Sequence, residues 1–141
     1  MTSPGVVAFG EVGLDCTVSS SDWESQQQIL IHLLLKLQME ISDKLTVLPY
    51  WEVSPWKVEE DLLGILQKEV QSSQLIHIHY FHGTQDTVCC WLKAFSNIHI
   101  SVGGAAVWAA REQRAGLERS PKDQLLLESD SPYAAAITGV G

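Results

Sequence analysis

Short apolar runs alternate along the chain with longer amphipathic segments. Val6 to Phe9 is a β-branched and aromatic run that ends at Gly10, which predicts a buried strand. Leu75 to Phe81 (LIHIHYF) alternates apolar and polar side chains, as a strand does. Three more strands are predicted, over Lys44–Tyr50, Ile98–Val102 and Gln124–Glu128. Pro49 cannot donate a ladder hydrogen bond, so its strand should be broken there or lie at an edge.

Helical spacing fills the intervals between these strands. Ser21 and Glu24 have the spacing of a capping box, which predicts a helix that runs to about Ile41. Its apolar residues recur at helical intervals: Ile29, Leu30, Leu33, Leu34 and Leu37. Ser54-Pro55 predicts the start of a second helix, whose apolar side carries Leu62, Leu63, Leu66 and Val70. The two remaining helices are predicted over Gln85–Phe95 and Ala105–Leu117.

This order of elements indicates an α/β fold. Alternating strands and helices imply parallel strands joined by right-handed crossovers. A complete (β/α)8 barrel usually needs about 250 residues, and the chain has 141. The pattern therefore predicts either a small open α/β sheet or part of a barrel.

Composition and charge narrow the class of protein. Hydrophobic residues make up 45% of the chain and charged residues 18%, with 5 Trp, so a disordered acidic tail is excluded. The 9 Lys and Arg against 17 Asp and Glu give a net charge of -8. A protein that coats nucleic acid through a basic face is thereby disfavoured. An acidic chain can still contact nucleic acid where metal ions screen the phosphates.

The cysteines and the first residues suggest a cytoplasmic or nuclear protein without a membrane partner. Cys16, Cys89 and Cys90 form no C-x-x-C motif, and reduced thiols are the expectation. The segment MTSPGVVAFG lacks the basic and long apolar parts of a signal peptide. The longest apolar stretch, Ile29 to Leu35, is too short to span a bilayer.

Potential metal ligands follow three of the predicted strands. Glu11 follows the first strand, His79 lies near the end of LIHIHYF two residues after His77, and Asp130 closes LLLESD two residues after Glu128. Carboxylates and imidazoles suit Zn, Mn or Mg, which activate water for hydrolysis. Each residue also has a structural interpretation. Glu11 could cap a turn, the histidines could be hydrogen-bonded core residues, and Asp130 before Ser-Pro could form a turn.

Three motifs in order resemble the TatD family of metal-dependent deoxyribonucleases. They are GEVGLD at 10–15, HYFHG at 79–83 and LLLESDSPY at 125–133. The segment EEDLLGIL at 59–66 is also similar to the helix after the family's fifth strand. The resemblance covers roughly residues 5 to 133 and corresponds to the later part of a family member, from about the fourth strand onward.

The resemblance implies one partial domain over 1–141, an incomplete (β/α)8 TIM-type barrel with about five parallel strands. It implies a hydrolase that cleaves DNA phosphodiester bonds with divalent Mg, Mn or Zn. By motif, Glu11 matches the carboxylate that bridges two metals, and His79 matches a metal-binding histidine. Asp130 matches the catalytic carboxylate that binds metal and acts on the attacking water, and Glu128 is the acid beside it.

Several expected ligands are missing, so two hypotheses stand. The family's His-x-His pair is not found, and no His follows Leu48-Pro49 in the divergent segment 42–57, where Glu52 could compensate only by turning inward. One hypothesis is a deoxyribonuclease with impaired activity, and the other is a non-catalytic remnant or protein-binding module. An unrelated small α/β domain is a third interpretation. An incomplete barrel also leaves open sheet edges, which favour self-association.

Overall fold

A computed structural model of the chain describes residues 5–15, 17, 19–40, 44–49, 56–104 and 111–129. The strands are β1 (Ala8–Phe9), β2 (Leu45–Pro49), β3 (Ile76–His79), β4 (Ile98–Val102) and β5 (Leu125–Leu127). The helices are α1 (Trp23–Glu40), α2 (Trp56–Glu69), α3 (Gln85–Ala94) and α4 (Arg111–Arg119). All five strands are parallel and form one sheet in the order β1-β2-β3-β4-β5. The predicted α/β fold, with parallel strands and interleaved helices, is confirmed.

The core lies between the sheet and the helices. Sequential parallel strands joined by crossovers of one hand place the helices on the same face of the sheet. Along β3, Ile76 and Ile78 are fully buried on that face, whereas His77 and His79 are half-buried on the other. The helices contribute apolar residues spaced three or four apart to this core, namely Leu30, Leu34, Leu37, Leu62, Leu66, Val88 and Trp91. The other face of the sheet, called here the open face, carries no described helix.

The α2–α3 pair is tied together by a buried polar contact. The indole Nε1 of Trp91 donates a hydrogen bond to Glu59 Oε1 at 3.1 Å, and Trp91 is itself fully buried. At the start of α3, the Thr84 side chain accepts a hydrogen bond from the Thr87 backbone. That cap fixes the point where the loop after β3 becomes a helix.

The prediction of a buried first strand is wrong in its burial. Only Ala8 and Phe9 form the strand, and Val7 is 77% exposed. The reason is position in the sheet, because β1 is the first strand in the order and, among the described residues, pairs with β2 alone. An apolar run fits an edge strand as readily as a central one, so the sequence pattern alone could not separate them.

Other element boundaries agree closely with the prediction. β4 matches residue for residue, α3 ends one residue early, and β5 is shorter by one residue at each end. α1 begins at Trp23 after a 3-10 turn over Ser20–Asp22. The predicted cap at Ser54-Pro55 and the start of the predicted helix at Ala105 lie outside the described residues. No helix in the described ranges has both the length and the apolar character needed to cross a membrane.

Candidate active site

Three predicted polar residues lie at the carboxyl ends of the strands, where parallel α/β folds hold their ligands. His79 is the last residue of β3, Glu11 follows β1 by two residues, and Glu128 directly follows β5. Residue alternation places His79 on the open face, because its neighbour Ile78 is buried against the helices. The three side chains therefore reach the same end of the sheet from its two edges and its centre.

Glu11 reaches this end because the chain after β1 stays against β2. The Val12 amide donates a hydrogen bond to the Val47 carbonyl at 3.1 Å. Gly10 passes so close to β2 that a Cβ there would lie 2.6 Å from Val47 Cβ and 2.7 Å from Val47 O. Any side chain at position 10 would push this segment away from β2, so the glycine is required for the position of Glu11.

The imidazole of His79 lies between the two carboxylates. His79 Nε2 is 2.6 Å from Glu128 Oε2, and His79 Nδ1 is 4.0 Å from Glu11 Oε1. The Glu128 side chain is 13% exposed, whereas that of Glu11 is 52% exposed. Glu128 is therefore enclosed by protein groups, whereas half of the Glu11 side chain is exposed.

Glu128 is held by donors from two neighbouring strands. Its Oε1 accepts hydrogen bonds from the Tyr80 backbone amide and from Ser101 Oγ. Tyr80 has a φ of 54°, in the left-handed region that non-glycine residues seldom adopt. Its ring packs against Gly103, where a Cβ would lie 2.2 Å from Tyr80 Cε2. The turn after His79 is thus shaped so that a backbone amide meets the Glu128 carboxylate.

His77, proposed from sequence as a further ligand, has a different partner. Its Nε2 is 2.8 Å from Ser101 Oγ, and its ring centroid is 5.9 Å from that of His79. Desolvation by burial lowers the pKa of His77, an effect that the negative charge of Glu128 opposes. His77 lies two residues before His79 on the same face of β3, with Ser101 as its hydrogen-bond partner.

The donor set around His79 suits a divalent cation. If Nε2 carries the imidazole proton and donates it to Glu128, then Nδ1 offers a lone pair toward Glu11. Metal-bound histidines commonly donate their second ring N–H to a carboxylate in this way. Around a tetrahedral zinc ion, two ligands that each lie about 2.0–2.1 Å from the metal are about 3.4 Å apart. The 4.0 Å between His79 Nδ1 and Glu11 Oε1 exceeds that spacing, so Glu11 would have to move closer to the ring to share one ion with His79.

Few possible metal ligands come together within the described part of the chain. No group of three or more His, Cys, Asp or Glu among those residues is arranged to hold a metal ion. Asp130, the predicted catalytic acid, and Glu52 lie outside the described residues. Of the predicted residues, Glu11, His79 and Glu128 come together, and His77 stands behind them.

Sequence reasoning missed two participants in this site, Ser101 and the Tyr80 amide. Ser101 is the only small polar residue in β4 (IHISV), and its position opposite Leu126 of β5 puts it on the open face. That pattern was visible in the sequence. No feature of the sequence indicated the Tyr80 amide. A left-handed turn is usually marked by a glycine or an asparagine, and here a tyrosine adopts it.

The chain is similar in sequence to known nucleases and metal-dependent hydrolases. The chain matches the family model described as TatD related DNase over residues 1–139. It is 32% identical over 133 residues to the 3'-5' RNA nuclease TATDN2 of Homo sapiens, a match that covers 92% of this chain and 16% of that protein. It is 30% identical over 134 residues to the uncharacterized metal-dependent hydrolase YcfH of Escherichia coli (strain K12), covering 94% and 47%. The match to the 3'-5' ssDNA/RNA exonuclease TatD of Erwinia billingiae (strain Eb661) is 29% over 136 residues, covering 93% and 48%.

A solved structure shares the fold. The crystal structure of an uncharacterized amidohydrolase from Saccharomyces cerevisiae superposes with a TM-score of 0.74 at 20% identity, covering 92% of this chain and 41% of that one. The chain spans about half the length of its bacterial relatives and 16% of the human one. Its five-stranded sheet therefore corresponds to part of a larger parallel α/β fold, as the incomplete barrel predicted from sequence requires.

Proposed function

The chain belongs to the TatD-related DNase family, and we propose that it carries part of a metal-dependent nuclease site that hydrolyses phosphodiester bonds. The observation that supports this most directly is the His79 imidazole, which lies between the carboxylates of Glu11 and Glu128. The names of the relatives, metal-dependent hydrolase and nuclease, agree with that donor set. We further propose that residues 1–141 act as one partial domain of that fold.

In this proposal Glu11, His79 and Asp130 would hold a divalent cation. A bound Zn, Mn or Mg ion would lower the pKa of a coordinated water and neutralise phosphate charge. Glu128 accepts the Nε2 proton of His79 and orients the ring, and the Tyr80 amide holds Glu128 in turn. Asp130, two residues beyond Glu128, would also act on the attacking water. We expect weak metal binding, because two metals that share Glu11 would each have only about two protein ligands, whereas catalytic zinc sites normally have three.

The proposed substrate is a nucleic acid strand, with DNA as the first choice from the family. The relatives are named as nucleases of RNA and of single-stranded DNA or RNA, so the assay should include both an RNA and a single-stranded DNA substrate. A chain with a net charge of -8 repels a polyanion, which makes substrate binding depend on added cations. Such a substrate is consistent with a cytoplasmic or nuclear location, which we also propose.

The test combines metal binding with hydrolysis. Calorimetry with Zn2+, Mn2+ and Mg2+ should detect binding to the wild-type chain, and His79→Ala and Glu11→Gln should abolish it. Labelled single-stranded DNA and RNA oligonucleotides should be cleaved only in the presence of metal. His32→Ala is the matched control, because this histidine is exposed on α1. Equal hydrolysis by wild type and His79→Ala would overturn the proposal.

A non-catalytic role is the second candidate, and one observation favours it. Only two carboxylates and one imidazole meet in the described part of the chain, and one of those carboxylates is engaged by three donors. A binding module of this fold would retain the folded sheet and would show neither metal-dependent cleavage nor loss of function in Glu11→Gln. Saturable metal binding together with cleavage of either oligonucleotide would exclude this candidate.

We also propose self-association through the sheet edges. β1 and β5 are the outer strands of the described sheet, and an exposed apolar residue lies just before β1 and another within β5. Val7 is 77% exposed and Leu127 is 90% exposed. Unpaired apolar edges favour strand pairing with a second copy of the chain.

A further inference from the structure

We propose that Ser101 is a positioning residue that holds Glu128 against His79 and thereby fixes which ring nitrogen of His79 carries the proton, leaving the lone pair of Nδ1 toward Glu11. This inference rests on the proposed function for its catalytic meaning. The directions of the hydrogen bonds around Ser101 do not depend on a metal ion, so they can be tested on the metal-free chain.

Ser101 occupies the centre of a hydrogen-bonded network. It is 1% exposed, and its Oγ has four polar neighbours. They are His77 Nε2 at 2.8 Å, the Tyr80 amide at 3.2 Å, the Ile78 carbonyl at 3.2 Å and Glu128 Oε1. A hydroxyl has one hydrogen and two lone pairs, so it can donate to only one of these neighbours.

Charge decides where that hydrogen goes. A bond from a hydroxyl to an ionised carboxylate is about twice as strong as one to a neutral carbonyl. Ser101 therefore donates to Glu128, and its oxygen accepts from His77 Nε2. The single hydrogen of the Tyr80 amide is shared between Ser101 Oγ and Glu128 Oε1. Since Ser101 has no second hydrogen, His77 must carry its proton on Nε2.

The direction of these bonds extends to His79. Glu128 accepts at Oε1 from Ser101 and Tyr80, and its Oε2 lies 2.6 Å from His79 Nε2. An ionised carboxylate has no hydrogen to give, so His79 must donate from Nε2. The remaining nitrogen, Nδ1, then presents its lone pair to Glu11 at 4.0 Å. Ser101 thus acts through Glu128 on His79, whose Nδ1 is the nitrogen that would bind a cation.

Ser101 is not a nucleophile, although it lies within hydrogen-bond distance of an imidazole. Its side chain is buried, and its hydrogen is directed to Glu128 rather than to His77. A serine nucleophile needs an adjacent base that accepts its proton and a path to substrate. Neither condition holds here, so the role of Ser101 is to hold its neighbours in place.

Histidine tautomers report this network directly. Long-range 15N–1H spectra of the metal-free chain at about pH 8.5, well above the ordinary imidazole pKa of about 6.5, should show Nε2–H for both His77 and His79. Ser101→Ala should give mixed tautomers at both rings. Ser101→Thr keeps the hydroxyl and should restore the wild-type pattern. Calorimetry with Zn2+ should show a loss of about 10- to 100-fold in affinity for Ser101→Ala, as for other residues that orient a metal-bound histidine.

Ser120→Ala is the matched control, because Ser120 is also buried and donates to the Gly116 carbonyl in the last turn of α4. It should leave the tautomers and the Zn2+ affinity unchanged. A folded Ser101→Ala chain with wild-type tautomers would overturn the proposal. If that variant does not fold, wild-type spectra with Nδ1–H at His77 would overturn it equally. Failure of the wild type to bind Zn2+ would count against the proposed function and leave the tautomer result to decide the role of Ser101.

Discussion

The two faces of the sheet have different roles, although adjacent residues of the same strands supply both. One face packs the hydrophobic core, and the other carries the polar side chains of the candidate site. On the helix-covered face, Ile78 and Ile100 are fully buried in hydrocarbon. On the open face, the neighbouring residues His79 and Ser101 take part in a network of hydrogen bonds around Glu128. Because side chains of a strand alternate between faces, a shift of one residue exchanges one role for the other. Substitutions at neighbouring positions should therefore have opposite kinds of effect.

Ile78→Ala should produce the largest loss of stability. The side chain is 1% exposed within the core, and truncation of a buried Ile to Ala costs about 2–5 kcal/mol. His79→Ala, one residue later on the open face, should change the free energy of unfolding much less and abolish metal binding. Urea denaturation of both variants measures the contrast. Equal destabilisation by the two substitutions would contradict the division between the faces.

Gly10→Ala should combine a stability loss with a loss of site geometry. The new Cβ would lie 2.6 Å from Val47 Cβ, and overpacking of this kind costs about 1–3 kcal/mol. The displaced segment would carry Glu11 away from His79, so metal affinity should fall as well. Denaturation and calorimetry on the same sample test both expectations.

Gly64→Ala is the matched control for that variant. Gly64 lies in the exposed part of α2, and a Cβ there would meet no atom within 4 Å. Alanine in a helix interior is favoured over glycine by about 0.5–1 kcal/mol. Gly64→Ala should therefore stabilise the chain and leave metal affinity unchanged. The same sign of stability change in both glycine variants would show that the close approach of Gly10 to β2 does not hold.

Leu127→Lys tests whether the open edges of the sheet lead to pairing of two copies. A charged residue on an edge strand opposes strand addition. Sedimentation velocity should show a concentration-dependent dimer for the wild type and a monomer for Leu127→Lys. Met39→Lys removes another exposed apolar residue, on α1, and should keep the dimer. A wild type that stays monomeric at about 100 μM, where weak contacts between chains are populated, would refute self-association.

Much of the fold could be predicted because hydrophobic periodicity reports which face each strand buries. The IHIH and IHIS patterns place isoleucines on one face, and β4 was predicted at its observed bounds. The approach of His79 to Glu11 followed from the rule that parallel strands bring their carboxyl ends together.

The finer parts of the site depend on tertiary detail that periodicity does not carry. The contact between Glu128 and His79 requires the left-handed turn at Tyr80 and the register in which Ser101 faces Leu126. The left-handed turn leaves no pattern in the local sequence. The serine in IHISV shows which face of β4 it lies on, but not which residue of β5 it lies opposite. The burial of the first strand was predicted wrongly for a related reason, since edge and centre positions are set by the other strands.

Asp15→Asn should have the smallest effect, since Asp15 belongs to neither face of the sheet. Asp15 accepts hydrogen bonds from the Thr17 hydroxyl at 2.6 Å and amide at 2.8 Å, which lower its pKa from the ordinary 3.8, the hydroxyl contributing more. A carboxyl whose pKa is lower in the folded chain than in the unfolded chain stabilises the fold above the unfolded value. That contribution is lost as the pH falls through the folded value, below about 3.8. Because the group is solvent-screened, the loss should be only a few tenths of a kcal/mol. Urea titrations of wild type and Asp15→Asn at pH 6 and about pH 3 measure it. Wild type should lose slightly more stability than Asp15→Asn between the two conditions, and an equal loss in both would mean that these hydrogen bonds are absent in solution.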